Sequence, residues 1–240
     1  AASDVYKRQI IILAAFVIPI LYMINNIFVD FDNIDFFDVF KLSKNTIFIS
    51  FIASILIILV VLFIQYVKRI SNSKVLNFVG EIISLTYALP GAVIGISIIL
   101  LFAPVNDSLG FLLIGSIHVL VYAYFIRYMA VAVSPILTSF KKYPKKLDDA
   151  GKSIGLKPFQ FFRKIFIPLN KNAIVIAFCI CFVDIMKDLP LTLILRPFNF
   201  DTLATQTYEY AIEEMITKSS IYSLTIIIFG IILLLSLIHI

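Results

Sequence analysis

Three charged residues interrupt an otherwise apolar stretch and are spaced to act together. Asp184 and Lys187 are three residues apart, Asp184 and Asp188 are four apart, and Pro190 follows them. On a helix, these spacings bring all three charges to one face. Because a charge at membrane depth is costly, the three must face a cavity or one another. The sequence supports equally an internal salt bridge that pins this helix to its neighbours and the lining of a translocation path, with Pro190 as a gate or hinge.

A second group of residues lies in a polar, basic loop at 135–172, between two apolar segments. Within the loop, Asp149-Ala150-Gly151 is followed after three residues by Gly155, and after twelve more by Pro168. A largely apolar chain has no folding reason to carry such a loop. We therefore predict that a partner outside the membrane reads it.

The composition indicates which elements hold these residues. Hydrophobic residues make up 61% of the 240, and the mean hydropathy is +1.02. Runs of nearly 20 residues with few or no charges predict transmembrane helices, which satisfy their own backbone groups in lipid. The fold class is therefore all-α, a polytopic membrane helix bundle of about six transmembrane helices. The predicted spans are 10–29, 45–67, 78–103, 110–134, 173–195 and 220–238.

The distribution of charge gives the orientation. Twelve Lys and Arg residues lie between spans two and three or between spans four and five, and only four lie in the loops on the other side. The positive-inside rule places both termini and the 135–172 loop in the cytoplasm, in a multi-pass protein of the cell inner (plasma) membrane. The net charge of +5 belongs to this asymmetry and does not indicate nucleic acid.

The loop is predicted to form two short helices. Pro144 suits the start of the first, Asp148 and Asp149 fall where carboxylates meet the positive helix end, and Gly155 can close it. This short helix is left available to a soluble partner.

The second helix of the loop begins at 157–158 and is predicted to be amphipathic. Its apolar stripe is formed by Phe159, Phe162, Ile165 and Phe166. Such a helix lies along the membrane surface or packs under the bundle. Pro168 is predicted to stop it before span five.

The loop resembles the signature of the inner-membrane permease subunits of binding-protein-dependent ABC importers. That signature runs Glu-Ala-Ala, three residues, Gly, then twelve residues ending in an aliphatic residue and a Pro. This chain departs from it at Asp149, which replaces Glu, and at Gly151, which replaces the second Ala. Both replacements keep the charge or the small size. The resemblance implies the transmembrane domain of a type I ABC importer.

The resemblance also implies that the first loop helix is a coupling helix that inserts into a groove on the ATP-binding subunit. The contact would run from Tyr143 to Gly155, with Asp149 as a polar anchor and with Ala150 and Gly151 allowing close approach. The residues assigned to ATPase coupling are Tyr143, Asp148, Asp149, Ala150, Gly151, Ser153, Gly155 and Pro168. The alternative is a solvated basic loop held near anionic lipid.

Span three carries Leu89-Pro90-Gly91 followed by Gly95, which combines a kink with small residues for close helix approach. This stretch resembles the third core span of the same family. Pro90 and Gly91 are therefore assigned, with Asp184, Lys187, Asp188 and Pro190, to the translocation path or gate.

The stretch 184–205 resembles the second half of the ferric iron permeases, in which an acidic residue, Leu-Pro, Thr-Leu, Arg-Pro-Phe and Asp-Thr-Leu-Ala occur in this order. The resemblance covers roughly 44–235 and implies the C-terminal half of a two-half permease. Permeases for thiamine, phosphonates or polyamines share the same frame and remain alternatives.

Hard oxygen donors of the kind that ferric iron prefers cluster in an outside segment. They are Tyr208, Glu209, Tyr210, Glu213 and Glu214. We interpret them as the polar face of a surface helix that contacts the binding protein, because a permease that held iron tightly would release it slowly. No metal ligands are assigned. Cys179 and Cys181, two apart on a helix, indicate neither a disulfide nor a metal site.

The chain contains no GxxxxGK[ST] loop, so a partner must supply ATP hydrolysis, and the chain itself is predicted to be neither an enzyme nor a cofactor-binding protein. The implied partners are ABC ATPase subunits, a periplasmic or extracellular solute-binding protein, a second permease half and the lipid bilayer. Three rival functions account for less of the sequence. An ion-coupled secondary transporter explains the charges near 187 but not the spacing of the loop residues. A membrane-embedded enzyme would need a catalytic motif within a span, and the sequence has none. A structural or insertase-like bundle predicts no ATP-dependent partner.

The ends of the chain are interpreted separately. Residues 1–9 are taken as a non-native leader and 236–240 as a similar tail, which would make the chain a fragment. The remaining organisation is a first transmembrane helix and outside loop at 10–43, and a permease core at 44–240 that contains the coupling loop 135–172.

Overall fold

The computed structural model describes residues 2–71, 74–109 and 113–238, and it is 85% helical, with no strand in that part of the chain. The α-helices are α1 (Ala2–Val29), α2 (Phe36–Ile70), α3 (Lys74–Leu85), α4 (Gly91–Leu109), α5 (Ile117–Lys141), α6 (Lys146–Ser153), α7 (Pro158–Phe161), α8 (Ile167–Leu169), α9 (Lys171–Met186), α10 (Pro190–Leu195), α11 (Leu203–Ile212) and α12 (Ile216–Ile238). Phe162–Phe166 form a π-helical turn between α7 and α8. The predicted all-α polytopic bundle is confirmed.

Three described helices are long and apolar enough to cross a membrane, namely α2, α5 and Ile216–Leu237 of α12. Two bent helix pairs raise this number to five when each pair is taken as one span. The pairs are Lys74–Ala88 with Gly91–Asn106, and Pro158–Leu169 with Lys171–Met186. Leu13–Val29 is a shorter apolar helix. These segments fall on the six predicted spans.

The chain divides into two compact units. The first comprises residues 1–47 and 199–232, and its core is built around Leu42, Leu203 and Tyr222. Buried polar groups in this unit are paired across helices, because an unpaired polar group would be costly there. The Tyr222 hydroxyl donates to Asp38 Oδ2 over 2.9 Å, and the backbone N–H of Leu203 donates to Thr46 Oγ1 over 2.9 Å.

The second unit comprises residues 48–198 and 233–240 and is centred on α5. Ser116 caps α5, since its hydroxyl accepts from the backbone N–H of Val119. Leu120, Ala123 and Ala132 of α5 are fully buried. Helix α5 packs along α9, and α4 packs against α10. This unit contains both groups of residues singled out in the sequence.

Two of the apolar segments are broken by proline. Between α3 and α4 the chain bends by 116° at Leu89-Pro90, where the sequence predicts a kink. The predicted span 173–195 is not one helix, because α9 ends at Met186 and α10 begins at Pro190. Pro190 takes the first position of α10, where its missing N–H costs nothing. A helix break therefore separates Asp184 from the residues that follow 187.

Candidate functional site

The coupling helix predicted in the loop is α6, which starts two residues after Pro144 and is closed by Gly155. Gly155 has a φ of +79°, the left-handed conformation that favours glycine. Its N–H donates to the carbonyl of Lys152 over 2.9 Å, and the N–H of Leu156 donates to the carbonyl of Gly151 over 3.1 Å. This pair of bonds is a Schellman motif, so the prediction that Gly155 ends the helix is confirmed.

One side of α6 faces outward. The side chains of Asp149 and Lys152 are 70% and 71% exposed and lie 3.3 Å apart. Ile154 is 72% exposed, and Ala150 and Ser153 are exposed as well. The Ser153 hydroxyl donates only to the carbonyl of Asp149, within the same helix. This outer face of α6, formed by 149, 150 and 152–154, is accessible to a partner.

The other side of α6 is committed to the chain itself. Asp148 is 12% exposed, and both of its carboxylate oxygens accept from Arg69 Nε, over 2.9 and 3.2 Å. Gly151 is buried, and a Cβ built on it would overlap the ring of Phe161. The close approach expected of Gly151 is therefore made to Phe161 of α7.

Arg69, one of the basic residues between predicted spans two and three, anchors the start of the loop. Besides Asp148, its guanidinium donates to the carbonyl of Phe140 over 2.8 Å and to the carbonyl of Pro144 over 3.0 Å. The same group lies 5.1 Å from the centroid of the Phe166 ring. Such planar, multiply bonded recognition is characteristic of arginine. The position of Arg69 at the end of a long apolar helix was the sequence feature from which this anchoring role could have been predicted.

Tyr66, one turn before Arg69 on α2, holds the second loop helix. Its hydroxyl donates to the carbonyl of Pro158 over 2.8 Å, and its ring lies 4.6 Å from that of Phe162 and 5.4 Å from that of Phe166. The last turn of α2 therefore fixes both helices of the loop.

The remaining coupling residues lie at the ends of the loop. The Tyr143 hydroxyl donates to the carbonyl of Leu169 over 2.9 Å. The expectation that Pro168 stops the second helix is off by one residue, because the backbone stays helical through Leu169. Asn170 separates α8 from α9, and its side chain accepts from the Ser139 hydroxyl over 2.7 Å.

The predicted apolar stripe of the second loop helix is partly wrong. Phe166 is fully buried and Phe162 is half-buried, but Phe159 is 69% exposed and Phe161 is buried in its place. The cause is the π-helical turn, whose i to i+5 periodicity puts 161 and 166 on one side. Their ring centroids are 6.2 Å apart.

The charges near residue 187 form two separate groups. Lys187 Nζ lies 2.8 Å from Asp184 Oδ1, and the lysine side chain is 59% exposed. Asp188 is not on that face, since α9 ends at Met186, and its side chain is only 1% exposed. The expected shared helical face therefore holds for the first two residues but not for the third.

Asp188 is the centre of an interior network. Its Oδ1 accepts from the backbone N–H groups of Leu191 and Thr192, over 3.1 and 3.3 Å, which satisfies two free donors at the start of α10. Its Oδ2 accepts from the Tyr128 hydroxyl over 2.5 Å. Thr192 Oγ1 is hydrogen-bonded in turn to Tyr124 over 2.5 Å.

Arg127 completes the network, but it was not assigned from the sequence. A charged residue within a predicted span was the available signal, because Arg127 lies in span four as Asp188 lies in span five. Its Nη1 lies 3.6 Å from Asp188 Oδ2. Within the described residues, its buried Nε and Nη1 have no hydrogen-bond partner. The guanidinium lies against Gly91, at the first turn after Pro90. The arrangement brings Gly91 and Asp188 to one arginine.

The cluster of oxygen donors at 208–214 lies on α11 and the turn after it, in the first unit. The ring of Tyr210 stacks on that of Tyr222 at 5.6 Å, and Lys218 Nζ lies 5.9 Å from the Tyr210 centroid. The described residues contain no group of three or more His, Cys, Asp or Glu side chains placed to hold a metal ion.

Comparisons with known proteins bear on the chain as a whole. The family model for the binding-protein-dependent transport system inner membrane component matches residues 69–240. The Fe(3+)-transport system permease protein FbpB 2 of Haemophilus influenzae (strain ATCC 51907 / DSM 11121 / KW20 / Rd) is 26% identical over 146 residues. The match covers 61% of this chain and 28% of that protein.

Solved structures share the fold. The MetNI methionine ABC transporter in inward-facing form matches with a TM-score of 0.64 and 17% identity, over 84% of this chain and 93% of that one. A bacterial ABC transporter for import of the acidic polysaccharide alginate matches with a TM-score of 0.76 and 14% identity, over 99% and 93%. The same transporter in complex with an alginate pentasaccharide-bound periplasmic protein also matches at 0.76, with 12% identity, over 99% and 92%.

Proposed function

Since the chain belongs to the family of binding-protein-dependent transport system inner membrane components, we propose that it is the permease subunit of an ATP-binding-cassette importer. In this role the chain forms part of the translocation path and converts ATP hydrolysis by a partner into alternation between outward and inward openings. It binds no cofactor of its own. The assembly includes two ATPase subunits, a second permease half, fused or separate, and an external solute-binding protein.

The observation that carries this proposal is the outer face of α6. It presents Asp149, Lys152 and Ile154 to the surroundings, while Asp148 and Gly151 fix the helix to the rest of the unit. A helix that is firmly held on one side and unpartnered on the other suits transmission of a push from a soluble subunit. The excess of Lys and Arg in the same loop supports a cytoplasmic location, with both termini on that side.

Co-purification tests the coupling role. The full chain is co-expressed with the ATPase subunit encoded at its own locus, and the amount of ATPase retained after membrane extraction is measured. We expect Asp149→Lys to reverse a contact charge and Gly155→Pro to distort the turn after α6, because proline cannot adopt a φ of +79°. Both changes should abolish retention.

Glu213→Lys is the matched control for this experiment. It makes the same charge change at an exposed residue that the charge distribution assigns to the other side of the membrane. It should leave ATPase retention unchanged. Retention that survives both loop variants would contradict the coupling role, and retention lost in the control would show a nonspecific effect of charge.

The proposed cargo is ferric iron. The support is the similarity to FbpB 2 and the order of motifs at 184–205, which includes Asp188, Pro190 and Arg196. Uptake of radioactive ferric iron by cells that lack their own ferric permease, and that express the chain with the partners from its locus, tests the assignment. Thiamine, phosphonate and polyamine uptake are measured in the same cells. Uptake of one of these three without iron uptake would replace iron as the cargo.

Pro90, Gly91, Asp184, Lys187, Asp188 and Pro190 are proposed to line or gate the path. Pro190 begins α10 directly after the helix break, so it is placed to act as a hinge. We expect Pro190→Ala to impair transport and leave membrane insertion intact. Unchanged transport would remove Pro190 from the gate.

A further inference from the structure

Arg127 lies where the starts of two broken segments come together. Helix α4 starts at Gly91 after the 116° bend, and α10 starts at Pro190 after the end of α9. We propose that Arg127 is a positioning residue that ties these two helix starts to α5, by filling the space above Gly91 and pairing with Asp188, and that release of this contact opens the bundle around α5. The proposal rests on the chain being a transporter subunit and adds a residue and a contact to the proposed gate.

The acidic side of the contact is firmly fixed. Asp188 accepts hydrogen bonds from two backbone N–H groups of α10 and from Tyr128 of α5. Its side chain is 1% exposed, so its negative charge needs a positive partner nearby. Arg127, 3.6 Å away on the same helix as Tyr128, supplies that charge.

The basic side of the contact is loosely held. Arg127 Nη1 and Nε are buried and, within the described chain, make no hydrogen bond. The ion pair is longer than a direct charged hydrogen bond. Asp188 can therefore remain bonded to α10 and Tyr128 while the arginine moves, which is the property that a releasable contact requires.

Gly91 decides whether the arginine can occupy this place. A Cβ at residue 91 would overlap Arg127 Nη1. The backbone of Gly91 does not have the positive φ that favours glycine, which among the described glycines occurs at Gly115 and Gly155. Glycine is therefore needed at 91 because the Arg127 guanidinium occupies the space that a side chain would fill.

Helix α4 also provides a matched position. A Cβ at Gly95, one turn after Gly91, would meet Ile194 of α10 at 3.1 Å, and its three nearest atoms all belong to that residue. Both glycines therefore face crowded surroundings, but only Gly91 adjoins the charged network. Gly91→Ala and Gly95→Ala separate the effect of the ion pair from the effect of added volume.

The chain carries its own reporter of the interface. Cys181 of α9 is fully buried, and its Sγ lies 3.8 Å from the carbonyl oxygen of Tyr128. Cys179 is the other cysteine of the chain and is also buried. With Cys179 replaced by Ser, the rate at which N-ethylmaleimide modifies Cys181 reports opening of α5 from α9 beside the network.

The experiment measures this rate in the purified full chain, without ATPase or substrate. We expect Gly91→Ala to raise the modification rate about tenfold, because residues in direct contact are energetically coupled strongly enough for a change of that size. Gly95→Ala should change the rate less than about twofold. In an Arg127→Met background, adding Gly91→Ala should change nothing further. Equal effects of the two alanines, or an undiminished effect of Gly91→Ala with Met at 127, would overturn the proposal.

A folding defect is informative as well. If Gly91→Ala alone does not give a monodisperse protein, recovery in the Gly91→Ala, Arg127→Lys double variant, whose shorter side chain keeps a positive charge beside Asp188, supports the contact, and failure of both overturns it. Because the assay uses neither ATP nor substrate, its failure leaves the permease assignment standing. Loss of ATPase retention in the α6 variants bears on that assignment and not on Arg127.

Discussion

Two arginines of the second unit differ in how many hydrogen bonds they make. Arg69 at the end of α2 donates to both oxygens of Asp148 and to two backbone carbonyls, and its guanidinium lies over Phe166. Arg127 in the middle of α5 also lies near a ring, 5.5 Å from the Tyr128 centroid, but it has one ion pair at 3.6 Å and two buried nitrogen atoms that make no hydrogen bond within the described residues. The first arginine makes the coupling loop rigid. The second, by our proposal, lets the helix breaks rearrange.

The difference suits the proposed permease, in which the loop would transmit motion and the helices beside Arg127 would move apart. In the proposed coupling role the loop must not deform, and the hydrogen bonds from all three guanidinium nitrogens of Arg69 suit that role. In the proposed gate the helices must separate without breaking many bonds, and the 3.6 Å ion pair of Arg127 suits that requirement. The following variants test whether this contrast between Arg69 and Arg127 is real, beginning with the largest expected effect.

Removing the carboxylate of the interior network should cost the most. We expect Asp188→Ala to lower the apparent free energy of unfolding by about 3 to 5 kcal/mol, because it removes the buried acceptor of the Tyr128 hydroxyl and of two α10 N–H groups and leaves Arg127 without its counter-charge. Thermal unfolding in detergent, followed by circular dichroism, measures the loss. Asp184→Ala is the control and should cost no more than about 1 kcal/mol, since Lys187 is 59% exposed. Equal losses would mean that Asp188 is not the centre of the network.

Removing the loop anchor should cost less, because its partner Asp148 is 12% exposed whereas Asp188 is 1% exposed. We expect Arg69→Ala to lower the apparent stability by about 2 to 3 kcal/mol, the scale of lost charged hydrogen bonds. Amide hydrogen exchange across 144–156 should quicken. Arg69→Lys keeps the charge but loses the planar fork, so it should recover less than half of the loss. Full recovery by lysine would show that charge alone holds the loop.

The coupling loop was largely predictable because its signals are local. Gly155 announces a left-handed turn, and Asp148 and Asp149 announce a helix start, without reference to any other part of the chain. The six apolar spans follow from composition in the same way. The inward commitment of Asp148 was not predictable, since Arg69 is 79 residues away in the chain.

The interior network escaped the sequence for a related physical reason. Asp188 and Tyr128 are separated by 60 residues, and no periodicity within one helix reveals a bond between two helices. The spacing of Asp184, Lys187 and Asp188 suggested a continuous face, but Pro190 ends that helix early. The π-helical turn at 162–166 likewise shifted the apolar stripe, because the stripe was drawn with α-helical spacing.

A smaller effect is expected where α6 meets α7. Gly151→Ala should cost about 1 to 3 kcal/mol, because its Cβ overlaps the buried ring of Phe161 and overpacking is destabilising. Thermal unfolding again gives the loss. Gly155→Ala is the matched control, since nothing lies within 4 Å of a Cβ there and only its φ of +79° is unfavourable. Phe161→Leu should relieve the loss at 151 and not the loss at 155. Relief at neither position would mean that the ring is not the obstacle.

The smallest effect on stability, and a large one on association, is expected at Asp149. The carboxylate is 70% exposed, and its partner Lys152 is 71% exposed, so Asp149→Asn should change the free energy of unfolding by less than about 0.5 kcal/mol. Loss of the charge should nevertheless weaken retention of the ATPase subunit, because a charged hydrogen bond to a partner becomes a neutral one. Asp148→Asn should do the reverse, lowering stability through Arg69 while the outer face stays intact. If each variant lowered both stability and ATPase retention, the inner side of α6 would not serve for anchoring alone and the outer side would not serve for association alone.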